Sequence, residues 1–293
     1  MDSEKCRILL SVIKNGSMSA AAEELNYTQS GISRAIEAME KSAGFPILSR
    51  GRGGAHLTSE GEELLPAVRE MAYWAEQYEQ TVQKLRGVQV GRLAVGSSYV
   101  KFFPWLTRIV SGFHEKYPGI TVELCSGTST ELAARMSAKA LDFAIISRRE
   151  GDFSSTVLKR DGLVAMLPPE HPMAHSDGVP ATIFETEPYI EIHTGLQTDN
   201  SLCFEKRGIT PNLSFSTPDS FVACGMVKAG LGVALVNRVI ADELSDAVAY
   251  VPLDPPEVID ICAVTPTADV ISPAAKIFKS YALEFLEDFL VAH

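Results

Sequence analysis

Ser30, Ser33 and Arg34 fall within a stretch whose apolar residues Ile32, Ala35, Ile36 and Met39 recur at the helical period. A helix in that register turns two small hydroxyls and a guanidinium away from its core, together with Glu37 and Lys41. Small side chains let a backbone approach a groove closely, and an arginine bonds guanine O6 and N7 bidentately. The chemistry offered is base readout in duplex DNA, and the bland alternative is the solvated face of a three-helix bundle. Two further hydroxyl pairs, Ser97-Ser98 and Thr128-Ser129, stand where apolar runs give way to helical ones. Helix N-termini carry unpaired N–H groups and positive dipole, so these pairs either hold a small anion or simply cap their helices. His193 and Thr194, at the end of a later apolar run, are placed to close over such a ligand.

Other constellations carry less. Gly230-Leu231-Gly232 follows a helix, precedes a strand and lacks a third glycine, the reverse of a nucleotide fingerprint. His171 and His175 have i,i+4 spacing, but Pro172 between them disfavours a helix presenting both to a metal. Neither a GxSxG elbow nor a P-loop occurs. The five cysteines, Cys6, Cys125, Cys203, Cys224 and Cys262, are scattered without CxxC spacing and read as buried free thiols. No metal, cofactor or enzymatic activity is expected.

The elements around the first site read as a helix-turn-helix with a wing. Residues 5–14 form an amphipathic helix ended by Asn15-Gly16. Ser17 or Ser19 caps a second, and Thr28 a third that runs to about Ser42. Leu48-Ser49-Arg50 and Ala55–Thr58 flank Gly51-Arg52-Gly53-Gly54, a hairpin with basic side chains near its tip to meet phosphate. Beyond it, Leu64, Val68, Met71, Ala75, Tyr78, Val82 and Leu85 keep an unbroken heptad alternation. That narrow apolar seam calls for a second copy of the helix, or for packing on the chain's own later domain. Pro66 should kink its first turns.

The run Gly16-Ser17-Met18-Ser19-Ala20-Ala21-Ala22-Glu23-Glu24-Leu25, then Thr28-Gln29-Ser30-Gly31-Ile32-Ser33-Arg34-Ala35-Ile36-Glu37, closely resembles the helix-turn-helix of LysR-type transcriptional regulators. Leu48-Ser49-Arg50 and Leu57-Thr58-Ser59-Glu60-Gly61 resemble that family's wing and helix-start motifs. The resemblance implies that Gln29, Ser30, Ser33 and Arg34 face DNA, with Arg50 and Arg52 on the flanking backbone. Ser17, Ser19 and Thr28, at the helix starts, complete the candidate contacts. It also implies dimerisation, or tetramer formation, through the seam.

From Gly91 apolar strands alternate with amphipathic helices, which implies a parallel sheet with crossover helices. The expected strands are Arg92–Ser97, Ile120–Cys125 and Leu141–Ile146, then Tyr189–His193, Leu213–Phe215 and Val233–Val236. Two α/β lobes of similar length resemble the periplasmic-binding-protein-like sensor of the same family. The resemblance places two strands crossing between the lobes, near Thr156–Leu167 and Val258–Val264, with the effector in the crevice they leave. The expected fold class is thus α/β, with an N-terminal winged helix-turn-helix (1–58), a linker and dimerisation helix (59–88) and a two-lobed effector-binding domain (89–293). Lobe I takes about 91–155 plus 266–293, and lobe II about 162–262.

Charge is divided unevenly along this plan. The net charge of −11 arises mainly after residue 90, where sixteen Lys/Arg meet twenty-five Asp/Glu; residues 1–60 balance at seven each. DNA contact therefore rests on local basic groups rather than long-range attraction. Without an apolar signal core or a run of membrane length, the expected location is the cytoplasm and no membrane contact is expected. The expected function is a ligand-responsive, sequence-specific DNA-binding regulator, with a double-stranded operator and a small effector, most simply a carboxylate. A solute-binding protein of a transporter, or an enzyme with an appended regulatory domain, are the competing classes. The DNA-binding head counts against the first, and the lack of a catalytic constellation against the second.

Overall fold

The computed structural model describes residues 2–51, 54–85, 90–244 and 246–292. The chain divides into two compact units, Met1–Val90 and Gly91–His293.

The first unit opens with helices α1 (Ser3–Asn15), α2 (Met18–Leu25) and α3 (Gln29–Ala43). α1 begins two residues before its apolar period because the Asp2 carboxylate caps it, accepting the Lys5 N–H at 3.0 Å. Ser17, rather than Ser19, caps α2, and Thr28 Oγ1 caps α3 by accepting the Gly31 N–H at 3.1 Å. Cys6, Leu9, Val12, Ala21, Ile32, Ile36 and Met39 are buried together between the three helices. The wing pairs β1 (Leu48–Gly51) with β2 (Gly54–Leu57), antiparallel in the register Leu48↔Leu57 to Gly51↔Gly54. Glu40 Oε1 accepts the N–H groups of Ile47 and Leu48, at 2.9 and 3.0 Å, and so fixes where β1 starts. Gly54 sits at φ +105, with Gly16 O 2.5 Å from where a Cβ would lie. Only glycine allows that approach, through which the Ala55 N–H reaches Gly16 O at 2.8 Å.

Helix α4 (Ser59–Leu85) contains Pro66. The seam read from its heptads divides in two. Leu64 and Val68, with Ala72, pack into the core of α1–α3, whereas Met71, Tyr78 and Leu85 stay exposed, joined by Trp74. The expectation of one continuous intermolecular seam is corrected at its N-terminal end, where the chain's own head covers it.

Glu24 on α2 ties that helix to α1: it accepts from Ser11 Oγ at 2.6 Å, Asn15 Nδ2 at 2.7 Å and Lys14 Nζ at 2.8 Å. The Lys14 ammonium first, then the Ser11 hydroxyl and the Asn15 amide, hold its carboxyl down, from 4.5 to about 2. A depressed carboxylate stabilises the fold above its unfolded value and stops doing so as pH falls through the folded one. Comparing thermal melting of the wild type and Glu24→Gln is therefore expected to show a wild-type advantage above pH 4.5 that fades toward pH 2. Glu24 is partly exposed, so the advantage is modest. A pH-independent difference between the two melting curves would refute the assignment.

The second unit begins with β3 (Gly91–Ser97), α5 (Phe103–Lys116), β4 (Ile120–Ser126), α6 (Ser129–Ser137) and β5 (Phe143–Ser147). The chain then runs through β6 (Ser154–Leu167), α7 (Ile183–Thr186), β7 (Tyr189–Ile192), α8 (Asp199–Arg207), β8 (Leu213–Thr217) and α9 (Ser220–Lys228). It ends with β9 (Ala234–Asn237), α10 (Arg238–Ala241), β10 (Ala249–Pro252), β11 (Val258–Thr265) and α11 (Pro273–Ala292).

β3 pairs in parallel with β4 and β5, and β11 closes this sheet antiparallel to β5. The 14-residue β6 lies beside β11 from Ser154 to Gly162 and continues into the second lobe, between β9 and β10. Those crossing strands lie where the sequence placed them. The second lobe departs from the all-parallel expectation, because β9 and β10 both run antiparallel to β6. β7 pairs in parallel with β8, and its Tyr189 bridges to Val233, the residue before β9. Each lobe has its own aromatic core: Phe113, Phe143 and Phe278 in the first, Phe184, Tyr189 and Phe204 in the second.

Candidate nucleic-acid interface and ligand crevice

On α3 the buried side chains Ile32, Ile36 and Met39 set the rotation of the helix, and this leaves Gln29, Ser30 and Arg34 exposed. Ser33 is half-buried and donates to Glu37 Oε1 at 2.8 Å. Thr28 Oγ1 lies 3.2 Å from Ser30 Oγ while serving as the cap. Asn26, left-handed at φ 57, ends α2 and redirects the chain into α3. Ser17 is half-buried at its cap and Ser19 exposed one turn on. The Arg50 backbone sits on β1, but its side chain, and the whole of Arg52, lie outside the described residues.

In the second unit a cavity of about 430 Å³ opens between the lobes. Ser97, Ser98, Thr128, Ser129 and His193 all line it. Thr194 does not: it is exposed outside the lining, a correction to the sequence reading. The hydroxyls are largely committed already. Ser97 Oγ is buried, donating to Tyr99 O at 2.9 Å and accepting the Tyr99 N–H at 3.0 Å. Thr128 forms a capping box with Glu131, whose carboxyl is held below its ordinary value by the Thr128 N–H and then its hydroxyl. Ser129 Oγ accepts the Ser147 N–H at 3.0 Å and lies 2.9 Å from the hydroxyls of both Ser98 and Ser147. His193 is held at φ 63, in the left-handed region that few residues other than glycine adopt.

The centre of the crevice is a group that the sequence did not disclose. Asp199, first residue of α8 in the second lobe, reaches across to the first. Its Oδ1 accepts from Ser147 Oγ at 2.6 Å and from Arg149 at 2.9 Å. Its Oδ2 accepts from Asn237 Nδ2 at 2.8 Å, and Tyr99 Oη lies 3.5 Å away. Arg149 is 8% exposed and Asp199 9%, so this is a buried ion pair, unlike the half-exposed Arg148–Asp260 pair beside it. Arg149 Nε also donates to Thr130 Oγ1 at 2.9 Å, and Thr130 donates to Gln197 O of the other lobe at 2.7 Å. Burial, and then the Asp199 charge, push the Tyr99 phenol upward, keeping it a neutral donor.

Elsewhere, His171 turns its Nε2 to Glu187 at 2.8 Å, and His175 is exposed. Cys203 and Cys224 are buried in separate clusters of the second lobe, and burial raises the Cys203 thiol. No helix among the described residues is long and apolar enough to cross a membrane.

An exposed recognition helix with a wing, followed by two α/β lobes around a ligand-sized crevice, defines a DNA-binding transcriptional regulator with a sensor domain. The chain belongs to the LysR family. Residues 3–62 match its "Bacterial regulatory helix-turn-helix protein" and residues 86–287 the "LysR substrate binding domain". It is 26% identical to the uncharacterized HTH-type transcriptional regulator YvbU of Bacillus subtilis over 95% of this chain and 96% of that one. Its fold is similar to a full-length OxyR variant from Pseudomonas aeruginosa, at a TM-score of 0.69 and 17% identity, covering 100% of this chain and 95% of that one. It is also similar to full-length CbnR in a complex with its target DNA, at a TM-score of 0.58 and 19% identity, covering 97% and 99%. The protein is thus a ligand-responsive, sequence-specific DNA-binding transcriptional regulator.

Proposed function

We propose that this regulator works in the cytoplasm as a homo-oligomer on operator DNA, and that its effector is a small carboxylate seated between the lobes. The observation that carries the reading is the interlobe cavity of about 430 Å³, in whose wall Arg149, Asn237 and Tyr99, with Ser147 behind them, converge on a carboxylate, that of Asp199. Paired hydroxyls and a buried guanidinium are suited to that charge and shape. Ile192, Val236, Val239 and Phe221 supply apolar wall for the rest of the molecule.

The test has two arms. Mobility shift on the DNA upstream of the gene is expected to show selective binding; binding no tighter than to random duplex would remove the operator reading. A thermal-shift screen of small carboxylates is expected to find a saturable rise in Tm. That rise should vanish in Val100→Trp, which fills the cavity from an exposed wall position, while operator affinity stays within about twofold. Stabilisation by amines or neutral sugars alone would overturn the carboxylate.

A further inference from the structure

We infer that Asp199 is a tethered occupant of the crevice's anion site, and that a carboxylate effector acts by displacing it; the second clause rests on the reading just proposed. Among the described residues, the side-chain cations lining the cavity, apart from His193, are Lys101 and Arg149, and each already has an acidic partner. Lys101 pairs with Asp242 at 3.0 Å near solvent, where Arg238 also holds the carboxylate. Arg149 pairs with Asp199 under near-complete burial, and Ser147 and Asn237 donate to the same carboxylate. This second group is the shape of a carboxylate receptor, with the protein's own carboxylate inside it. An incoming anion therefore meets a filled site.

The exchange is feasible because like replaces like. Removing one member of a buried ion pair is strongly unfavourable, but a ligand carboxylate in place of Asp199 leaves Arg149 paired throughout. Asp199 also has somewhere to go. It lines both the main cavity and a second one of about 270 Å³, whose wall carries Arg148 and Lys206 together with their partners Asp260 and Glu257. Its position in the first turn of α8 favours negative charge wherever the side chain points, and Thr198 rather than Asp199 caps the helix. Before exchange the bridge between the lobes is part of the chain; after exchange it is the effector. Lobe linkage thereby becomes dependent on ligand. A tethered competitor acts at an effective concentration of about millimolar or more, so it sets the threshold for response.

Asp199→Ala of the full-length protein, probed with acetate against chloride at equal ionic strength, tests the inference without knowing the effector. The variant is expected to melt several degrees below wild type in chloride and to recover in acetate, saturating at millimolar concentrations. Wild type should show no acetate response, and neither should Arg149→Ala/Asp199→Ala, which removes the receptor with the tether. Asp242→Ala, which frees Lys101 instead, should also stay silent. If Asp199→Ala is obtained only as aggregate, refolding decides: recovery in acetate but not chloride supports the inference, and failure in both overturns it. A folded Asp199→Ala indifferent to acetate, or an equal response in wild type, overturns it too. These outcomes are separate from the carboxylate screen: acetate complementing Asp199→Ala while no carboxylate stabilises wild type keeps the tethered site and removes the effector class.

Discussion

Arg34→Ala is expected to cut the distinction between operator and random DNA sharply while leaving the fold and oligomeric state unchanged. Arg34 is exposed on α3, beside the small side chain of Ser30 and two positions from buried Ile32 and Ile36, which fix the helix's rotation. Its removal subtracts nothing from the core, and alanine and arginine are both strong helix formers. One bidentate arginine–guanine contact is worth about 1–3 kcal/mol of discrimination, and an oligomer makes it in each half-site. The loss of selectivity should thus approach or exceed about a hundredfold, with the remaining affinity still salt-dependent through phosphate contacts. Titrating wild-type and base-substituted operator with both proteins, alongside circular dichroism, reads the effect. A variant that keeps wild-type selectivity would move the readout to another residue of α3.

Much of what positions that helix was legible from residue order. The cap at Thr28 and the buried face of α3 follow from local pattern, which acts over a few residues; pattern narrowed the α2 cap to Ser17 or Ser19, and the crossing strands β6 and β11 were placed by the family resemblance. What pattern cannot carry is direction and distant partnership. A short apolar strand reads alike whether its neighbour runs parallel or antiparallel, and so the return of β9 and β10 against β6 was hidden. Arg149 and Asp199 are separated by 50 residues, and each had a local disguise. Arg148 and Arg149 are adjacent and identical in type, yet only the second is buried. Thr198, Asp199 and Ser201 form an ordinary capped helix start. The hydroxyls at Ser97 and Thr128 were found, but their bonds serve backbone turns and a cap before any ligand.

The heptad seam shows the same ambiguity, and its resolution yields the other large effect. A seven-residue apolar repeat does not state whose surface it meets. Leu64 and Val68 meet their own head, whereas Met71, Trp74, Tyr78 and Leu85 are 39%, 47%, 71% and 83% exposed. Four large apolar side chains along one exposed stretch of helix are a patch that association would bury, at about 1.5–3 kcal/mol for each side chain fully covered. A second copy of the same stretch supplies a matching surface by two-fold symmetry. Met71→Glu combined with Tyr78→Asp places like charges across that axis and is expected to raise the dissociation constant of the pair by several orders of magnitude. The head should remain folded, since Val68 and Leu64 still anchor α4 to it. Operator binding should fall with association, because linking two heads enhances affinity by about 10²–10⁴ when both half-sites are engaged. Sedimentation velocity and mobility shift on the same preparations read both consequences. A wild-type protein that sediments as a monomer at micromolar concentration, or a double variant that stays associated, would show that this stretch of α4 is not the interface.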